Sequence, residues 1–287
     1  MKKLIEMSGI SKAFGGSVAL KNVSFELLAG SVHALMGENG AGKSSLMKIL
    51  AGVHQPDSGK ISRDGQVVTF ATPKEALDFG ISTVFQELSL LANLTIAENM
   101  FLGREPTLRF GTVDYATMNR ETTKALAELG LDLNPKTMVS ELTIAERQFV
   151  EIAHGIKADA SIFILDEPTA ALNAADVEVL NRHIRRLRDE GKAIVYISHR
   201  MDEIFEICDT VTVLKDSELV ATKPLAEMTP HSLIAMMVGR ELKDLFPERN
   251  AEPGEAMLDV ENFRITDSSA PFSMTVGKGE IVGMAGL

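Results

Sequence analysis

The sequence holds a single cysteine, Cys208, among 287 residues. No internal disulfide is possible, which fits a reducing compartment, and a lone thiol beside Ile207 reads as a small core side chain. Positive charge is also scarce: 29 Lys and Arg stand against 40 Asp and Glu, a net charge of −11. Binding to DNA or RNA without regard to sequence runs on Lys and Arg neutralising phosphates, so this balance argues against it. A local basic site stays open. No apolar run approaches the length that spans a bilayer. The opening MKKLIEMSGI is broken by Glu6 and Gly9, too soon for a signal peptide. Sustained heptads are missing, so no long coiled-coil insertion is expected.

What is present is ordinary for a soluble globular protein: 45% hydrophobic and 24% charged residues, enough for a core of one to two domains. Short apolar runs read as strands at Leu4–Met7, Val23–Leu27, Val32–Met36, Ile81–Phe85, Ser161–Asp166, Lys192–Ser198, Val211–Leu214 and Glu218–Thr222. Helical patterns fall between them, at Lys43–Ala51, Pro73–Asp78, Ala175–Arg188 and Met201–Ile207. A hairpin turn is expected at Asp64-Gly65. Strands separated by helices predict an α/β fold with a mostly parallel core sheet, preceded by an antiparallel β region. From about 95 to 157 the pattern turns helical and predicts an inserted helical subdomain, with Gly130 stopping its amphipathic stretch. The stretch 245–256, LFPERNAEPGEA, reads as a linker.

After the linker the chain starts again. Ser24–Glu38 aligns without gaps on Ser273–Leu287, with Ser24 on Ser273, Gly30 on Gly279 and Gly37 on Gly286. Upstream, Ile5–Ile10 resembles Leu258–Phe263. The expectation is a first domain over 1–244 and, from 257 to 287, the truncated start of a second copy.

Gly37–Ser45, GENGAGKSS, fits G-x-x-x-x-G-K-S/T between a strand and a helix. Such a loop turns backbone N–H groups and a helix N-terminus toward phosphate. Lys43 adds a point charge for the β- and γ-phosphates and Ser44 a hydroxyl for Mg²⁺. The metal-holding acid this loop needs is expected at another strand end, and Asp166 supplies it. Glu167, one residue on, is placed to polarise an attacking water, and His199 ends a third strand. Ligands of open parallel sheets bind beyond the strand carboxyl ends, so the three are expected to converge.

With these motifs in order, the chain resembles the ATP-binding subunits of ABC transporters, a P-loop NTPase fold. That family carries a signature peptide, usually LSGGQ, and the matching stretch here is Leu142, Thr143, Ile144, Ala145 and Glu146. Both glycines and the final glutamine are replaced, yet Arg147-Gln148 continues as the family does, and Thr143 can cap the helix that follows. The resemblance assigns ATP and Mg²⁺ as cofactors. Gly37, Glu38, Asn39, Gly40, Ala41, Gly42, Lys43, Ser44 and Ser45 would hold the phosphates, and Phe14 would stack on adenine. Ser44, Gln86 and Asp166 would hold the metal, with Gln86 in the loop that reports to the membrane partner. Glu167 and His199 would be catalytic. Asn173 replaces the usual Asp of the D-loop, Thr169–Asn173.

The closer resemblance is to the bacterial simple-sugar importers, whose two ATPase halves share one polypeptide. It implies a second ABC half or an identical copy as partner, membrane permease subunits, a periplasmic sugar-binding protein in the wider system, and no nucleic acid. The location implied is cytoplasmic, peripheral on the inner membrane through the permease. Segment Glu87–Glu105 would meet that permease, with Leu88, Leu90, Leu91 and Leu94 either facing it or packing under the helical subdomain. The alternative is a non-transport ABC ATPase, tied to translation or chromosomes, that acts as a nucleotide switch. A short Pro-rich linker, the acidic chain and the missing heptads count against it, and the intact Glu167 and His199 count against a switch without catalysis.

Overall fold

The computed structural model describes residues 2–84, 89–239, 254–266 and 269–284. Gln86, Glu87, Leu88, most of the expected linker and Gly286 lie outside the described residues. The chain divides into two units, Met1–Arg240 and Glu241–Leu287.

In the first unit the strands β1 (Lys3–Phe14), β2 (Ser17–Leu28), β4 (Ser58–Arg63) and β5 (Gln66–Val68) form an antiparallel sheet in the order β2-β1-β4-β5. The core sheet uses β3 (Ser31–Met36), β6 (Ile81–Val84), β7 (Ile162–Asp166), β8 (Ala193–Ile197), β9 (Thr210–Lys215) and β10 (Glu218–Pro224). Its order is β10-β9-β3-β8-β7-β6, parallel from β9 to β6, with β10 antiparallel at one edge. Every residue of β3 and β8 is buried. Apolar layers on both faces explain why these strands read as unbroken apolar runs rather than alternating ones. One layer joins the sheet to α1 (Lys43–Leu50) and the antiparallel sheet, through Leu35, Leu46, Ile164 and Val195. The other joins it to α6 (Ala174–Asp189), α7 (Met201–Ile207) and the helical subdomain, through Val84, Phe163, Leu180 and Ile204.

The stretch expected to be helical from 95 to 157 contains α3 (Ile96–Phe101), α4 (Tyr115–Glu128) and α5 (Ile144–Lys157), with an irregular segment before α4. Capping boxes start α3 at Thr95/Glu98 and α5 at Thr143/Glu146. Helix α8 (Pro230–Val238), absent from the reading of the sequence, starts on Thr229 and Ser232 with Pro at its first position. Its signal was present in TPHS; the helix is short and apolar nearly all round, so no period marked it. The remaining helix, α2 (Pro73–Asp78), stands where expected, and Asp64-Gly65 turns with φ of 49° and 80°. Among the described residues, no helix is long and apolar enough to cross a membrane.

The second unit shows one hairpin, β11 (Ala256–Phe263) with β12 (Phe272–Gly277). Its register repeats that of β1 and β2. Met7 pairs Phe25 and Ile10 pairs Val23, while Val260 pairs Met274 and Phe263 pairs Phe272, which are the aligned positions. The irregularity repeats as well. Gly9 and Asn262 both sit at positive φ, 63° and 53°, and each donates its N–H to the aligned serine, Ser24 Oγ at 3.1 Å and Ser273 Oγ at 3.0 Å. A bulge conserved in place, partner and φ is a designed feature of a strand pair rather than a consequence of apolar pattern.

One buried group makes the fold acid-sensitive. His33 on β3 bonds Thr212 Oγ1 at 2.7 Å and packs on Phe25. Burial lowers its pKa from 6.5 to about 4, with Glu26 opposing. The unfolded chain therefore takes up this proton first. Its stabilising contribution is complete above pH 6.5 and is lost as pH falls toward 4, by about 3 kcal/mol for a shift of this size. Urea unfolding from pH 7.5 to 4 is expected to give a steep loss of stability that His33→Gln flattens. An unchanged slope in the variant would clear His33 of this role.

Candidate functional site

The phosphate loop joins β3 to α1, and its glycines are fixed mostly by protein rather than by open space. A Cβ at Gly37 would run into the Leu214 carbonyl, and one at Gly42 would lie 2.5 Å from the Ala19 carbonyl oxygen. Gly40 has nothing within 4 Å of such a Cβ, and what it needs glycine for is its φ of 85°. Lys43, only 8% exposed, donates from Nζ to the Gly37 carbonyl at 2.7 Å and the Glu38 carbonyl at 3.0 Å. Burial holds its ammonium below the ordinary lysine value, with Asp166 and Glu167 opposing.

The loop opens on a cavity of about 660 Å³ lined by Asn39, Gly40, Gly42, Lys43, Ser44, Ser45, Asp166, Glu167 and His199. Loop, β7 end and β8 end thus meet in one place. Gly37 and Ala41, which are buried, and Glu38, which is exposed, are not among the lining residues. Asp166 ends β7, and its carboxyl is raised above the usual range by burial and then by Glu167, with Lys43, Lys48 and His199 opposing. Glu167 stands at φ 50°, a left-handed conformation that a residue with a Cβ seldom adopts. Its N–H donates to the Ile197 carbonyl at 2.8 Å, which locks the turn to β8. Oε1 of Glu167 lies 2.7 Å from His199 Nε2. Strain of this kind concentrates at functional positions.

Mg²⁺ fits these residues. It is held through one or two carboxylates, phosphates and waters rather than by an all-protein cage. Ser44 and Asp166 line the same cavity, and the crowded negative charge at Asp166 and Glu167 is what a divalent cation relieves. Among the described residues, no group of three His, Cys, Asp or Glu forms a metal cluster of its own.

The other expected site residues lie away from this cavity or at its margin. Phe14 ends β1 against His54, ring centroids 5.0 Å apart, with Lys12 Nζ 5.5 Å from its ring. It is not a lining residue; Ser17, Val18 and Ala19, just across the hairpin turn, are. Nothing in the sequence singled those three out beyond their place beside Phe14. Leu142 is buried, while Thr143 and Ile144 are exposed, and none of Leu142–Glu146 lines the cavity. Glu146 accepts from both the N–H and Oγ of Thr143, each at 2.8 Å, so the replaced signature is a self-capped helix start. Asn173 caps α6, accepting from Asp176 N–H at 3.0 Å and donating to the Asp176 carboxylate at 2.7 Å, a donation that Asp could not make. Of the permease-facing candidates, Leu90 packs on the helical subdomain and Leu91 is exposed.

A parallel sheet whose strand ends bring a glycine-rich lysine loop, a half-buried aspartate and an adjacent glutamate around one polar cavity has the layout of a phosphate-binding loop protein. Residues 20–170 match the profile of the ABC transporter family, and the chain belongs to that family. A ribose import ATP-binding protein of Caldanaerobacter subterraneus subsp. tengcongensis is 47% identical over all of this chain and 58% of its own length. One of Bacillus cereus is 47% identical over 99% of this chain and 57% of its own. The chain therefore spans a little over half the length of the curated relatives it matches. Among solved structures, a nucleotide-free ATP-binding cassette from an ABC transporter superposes with a TM-score of 0.69 at 24% identity, covering 77% of this chain and 91% of that one. The ADP conformation of another such cassette gives 0.69 at 22%, covering 83% and 96%. These two establish the fold.

Proposed function

We propose that residues 1–244 are a nucleotide-binding domain that binds Mg-ATP, hydrolyses it, and so powers import of a simple sugar through membrane permease subunits. The observation that carries the reading is the meeting of Lys43, Asp166, Glu167 and His199 at one cavity, with Glu167 and His199 in contact at 2.7 Å. Lys43 and the loop N–H groups bind the phosphates. Ser44 and Asp166 would hold Mg²⁺, with Gln86 joining them as the resemblance implies, and the ion would supply charge stabilisation at the phosphates. Glu167 takes the proton of the attacking water, and His199 both orients that carboxylate and contacts the γ-phosphate. Phe14 supplies the base-stacking face at the margin of the cavity.

Ribose is the sugar that the names of the two relatives support. The hairpin of the second unit supports a second ABC copy from about residue 257, because its register and bulge repeat those of β1 and β2. In this reading ATP sits between one copy's phosphate loop and the other's signature, and binding favours the closed pair because only that pair makes both sets of contacts. The exposed Leu91, just before the helical subdomain, and Leu102, Leu108 and Phe110 on it support docking to a permease at the cytoplasmic face of the membrane. A periplasmic sugar-binding protein would complete the system.

The test is ATP turnover per mole of chain across a concentration series at saturating Mg-ATP. The expected result is bound ATP at every concentration and a specific rate that climbs as two copies assemble the composite site. A chain that binds no ATP would overturn the reading.

A further inference from the structure

The contact between Glu167 and His199 joins two loops from different strands, and the Glu167 N–H bond to Ile197 fixes the start of one loop but not the loop that carries His199. Behind them lies a carboxylate that the function proposed above does not use. Glu203, in the first turn of α7, is 2% exposed. Three hydroxyls donate to its Oε2: Thr169 Oγ1 at 2.8 Å, Tyr196 Oη at 2.9 Å and Ser198 Oγ at 2.9 Å. Arg200 Nη1 lies 2.9 Å from its Oε1, and the Arg200 N–H donates to Ser198 Oγ at 3.1 Å. A charge this deep is tolerated only when paired and hydrogen-bonded, and each of its partners is thereby fixed.

The partners are not scattered. Thr169 follows Glu167 by two residues and opens the D-loop, while Ser198 and Arg200 flank His199 on either side. One carboxylate therefore ties the loop carrying Glu167 to the loop carrying His199. The ladder between β7 and β8 fixes the register of the strands as far as Asp166 opposite Ile197, but leaves the loops beyond it weakly determined. Hydrogen bonds from both loops to one buried point remove that freedom. Burial and then the charge of Glu203 push the Tyr196 phenol well above its ordinary pKa, so its hydroxyl stays a donor.

We infer that Glu203 is a positioning residue that sets the alignment of Glu167 with His199 and couples it to the D-loop. The inference rests on the proposed hydrolysis reading for its consequence in turnover, though not for its geometry. The experiment uses the full chain with Glu203→Ala and Glu203→Gln, measuring Mg-ATP affinity, turnover at saturation and the imidazole ¹⁵N signals of His199. Glu203→Ala is expected to keep affinity within about threefold and lower turnover about 30-fold, because only the aligned pair is disturbed. It should also shift or broaden the His199 Nε2 signal. Glu203→Gln keeps an acceptor oxygen and should recover most of the rate and the native signal.

Should Glu203→Ala fail to fold, the double variant Tyr196→Phe, Ser198→Ala leaves the carboxylate in place and removes two of its three hydroxyl donors. The same change in the His199 signal, at unchanged affinity, is then expected. A native His199 signal in folded Glu203→Ala, or in the double variant where Glu203→Ala does not fold, would overturn the inference, and so would affinity and turnover falling together. A wild-type chain that binds no Mg-ATP would instead overturn the nucleotide reading, and its His199 signal would still report whether Glu203 positions that loop.

Discussion

Lys43→Ala is expected to weaken Mg-ATP binding about 100-fold, the cost of one or two charge-assisted hydrogen bonds to phosphate. The lysine is held in position before any nucleotide arrives, because its ammonium already donates to the carbonyls of Gly37 and Glu38. Phosphate oxygens extend an arrangement that exists. Lys43→Arg should not rescue binding, since a planar guanidinium cannot replace a compact ammonium enclosed by loop carbonyls. Displacement of a fluorescent ATP analogue reads the affinity, and the unfolding midpoint shows that the variants remain folded. Unchanged affinity in folded Lys43→Ala would remove the phosphate-binding role of the loop.

Glu167→Gln is expected to bind Mg-ATP as the parent chain does and to lose turnover by about 10²- to 10⁴-fold, the range of a positioned general base. Glutamine preserves shape, so the left-handed turn at φ 50° and the N–H bond to Ile197 should persist. It also keeps an oxygen for His199. What it lacks is the basic carboxylate. Phosphate release under single-turnover conditions, with bound nucleotide identified after quenching, separates the two effects. Turnover retained at the parental rate would remove Glu167 as the base.

The parts of this site legible in the sequence are those where chemistry forces a local pattern. A loop that wraps phosphate needs glycines and a lysine at fixed spacing, and an acid at a buried strand end follows four apolar residues in Ile162–Asp166. Convergence of Lys43, Asp166, Glu167 and His199 followed from a general property of parallel sheets, and the cavity brings all four together. The likeness of the two hairpins was legible in a few identities because Ser24 and Ser273 each serve a bulge that neighbouring residues do not.

What stayed hidden depends on contacts between distant segments. Glu203 reads as one more acid at a helix start, and only the fold brings Thr169, Tyr196 and Ser198 to it. Ser17, Val18 and Ala19 carry no motif and reach the cavity because β2 lies against the loop. The φ of Glu167 is set by its bond across to β8. Helix α8 escaped because an apolar segment without amphipathic period looks alike in several conformations.

The glycines of the phosphate loop carry a consequence for how this protein can vary. Gly37 and Gly42 press against the carbonyls of Leu214 and Ala19, so the loop is a component of the folded core rather than a flap over the ligand. The entropy of ordering it is lost when the chain folds, not when ATP arrives. Association should then be fast and accompanied by little change in amide-exchange protection across residues 37–45. Substitutions that soften the loop would register first as lost stability and only later as lost affinity. Graded changes in nucleotide preference are left to the open side of the cavity, to the side chains of Ser17, Val18 and Ala19, whose backbone belongs to β2 and backs the loop while their side chains are free to vary.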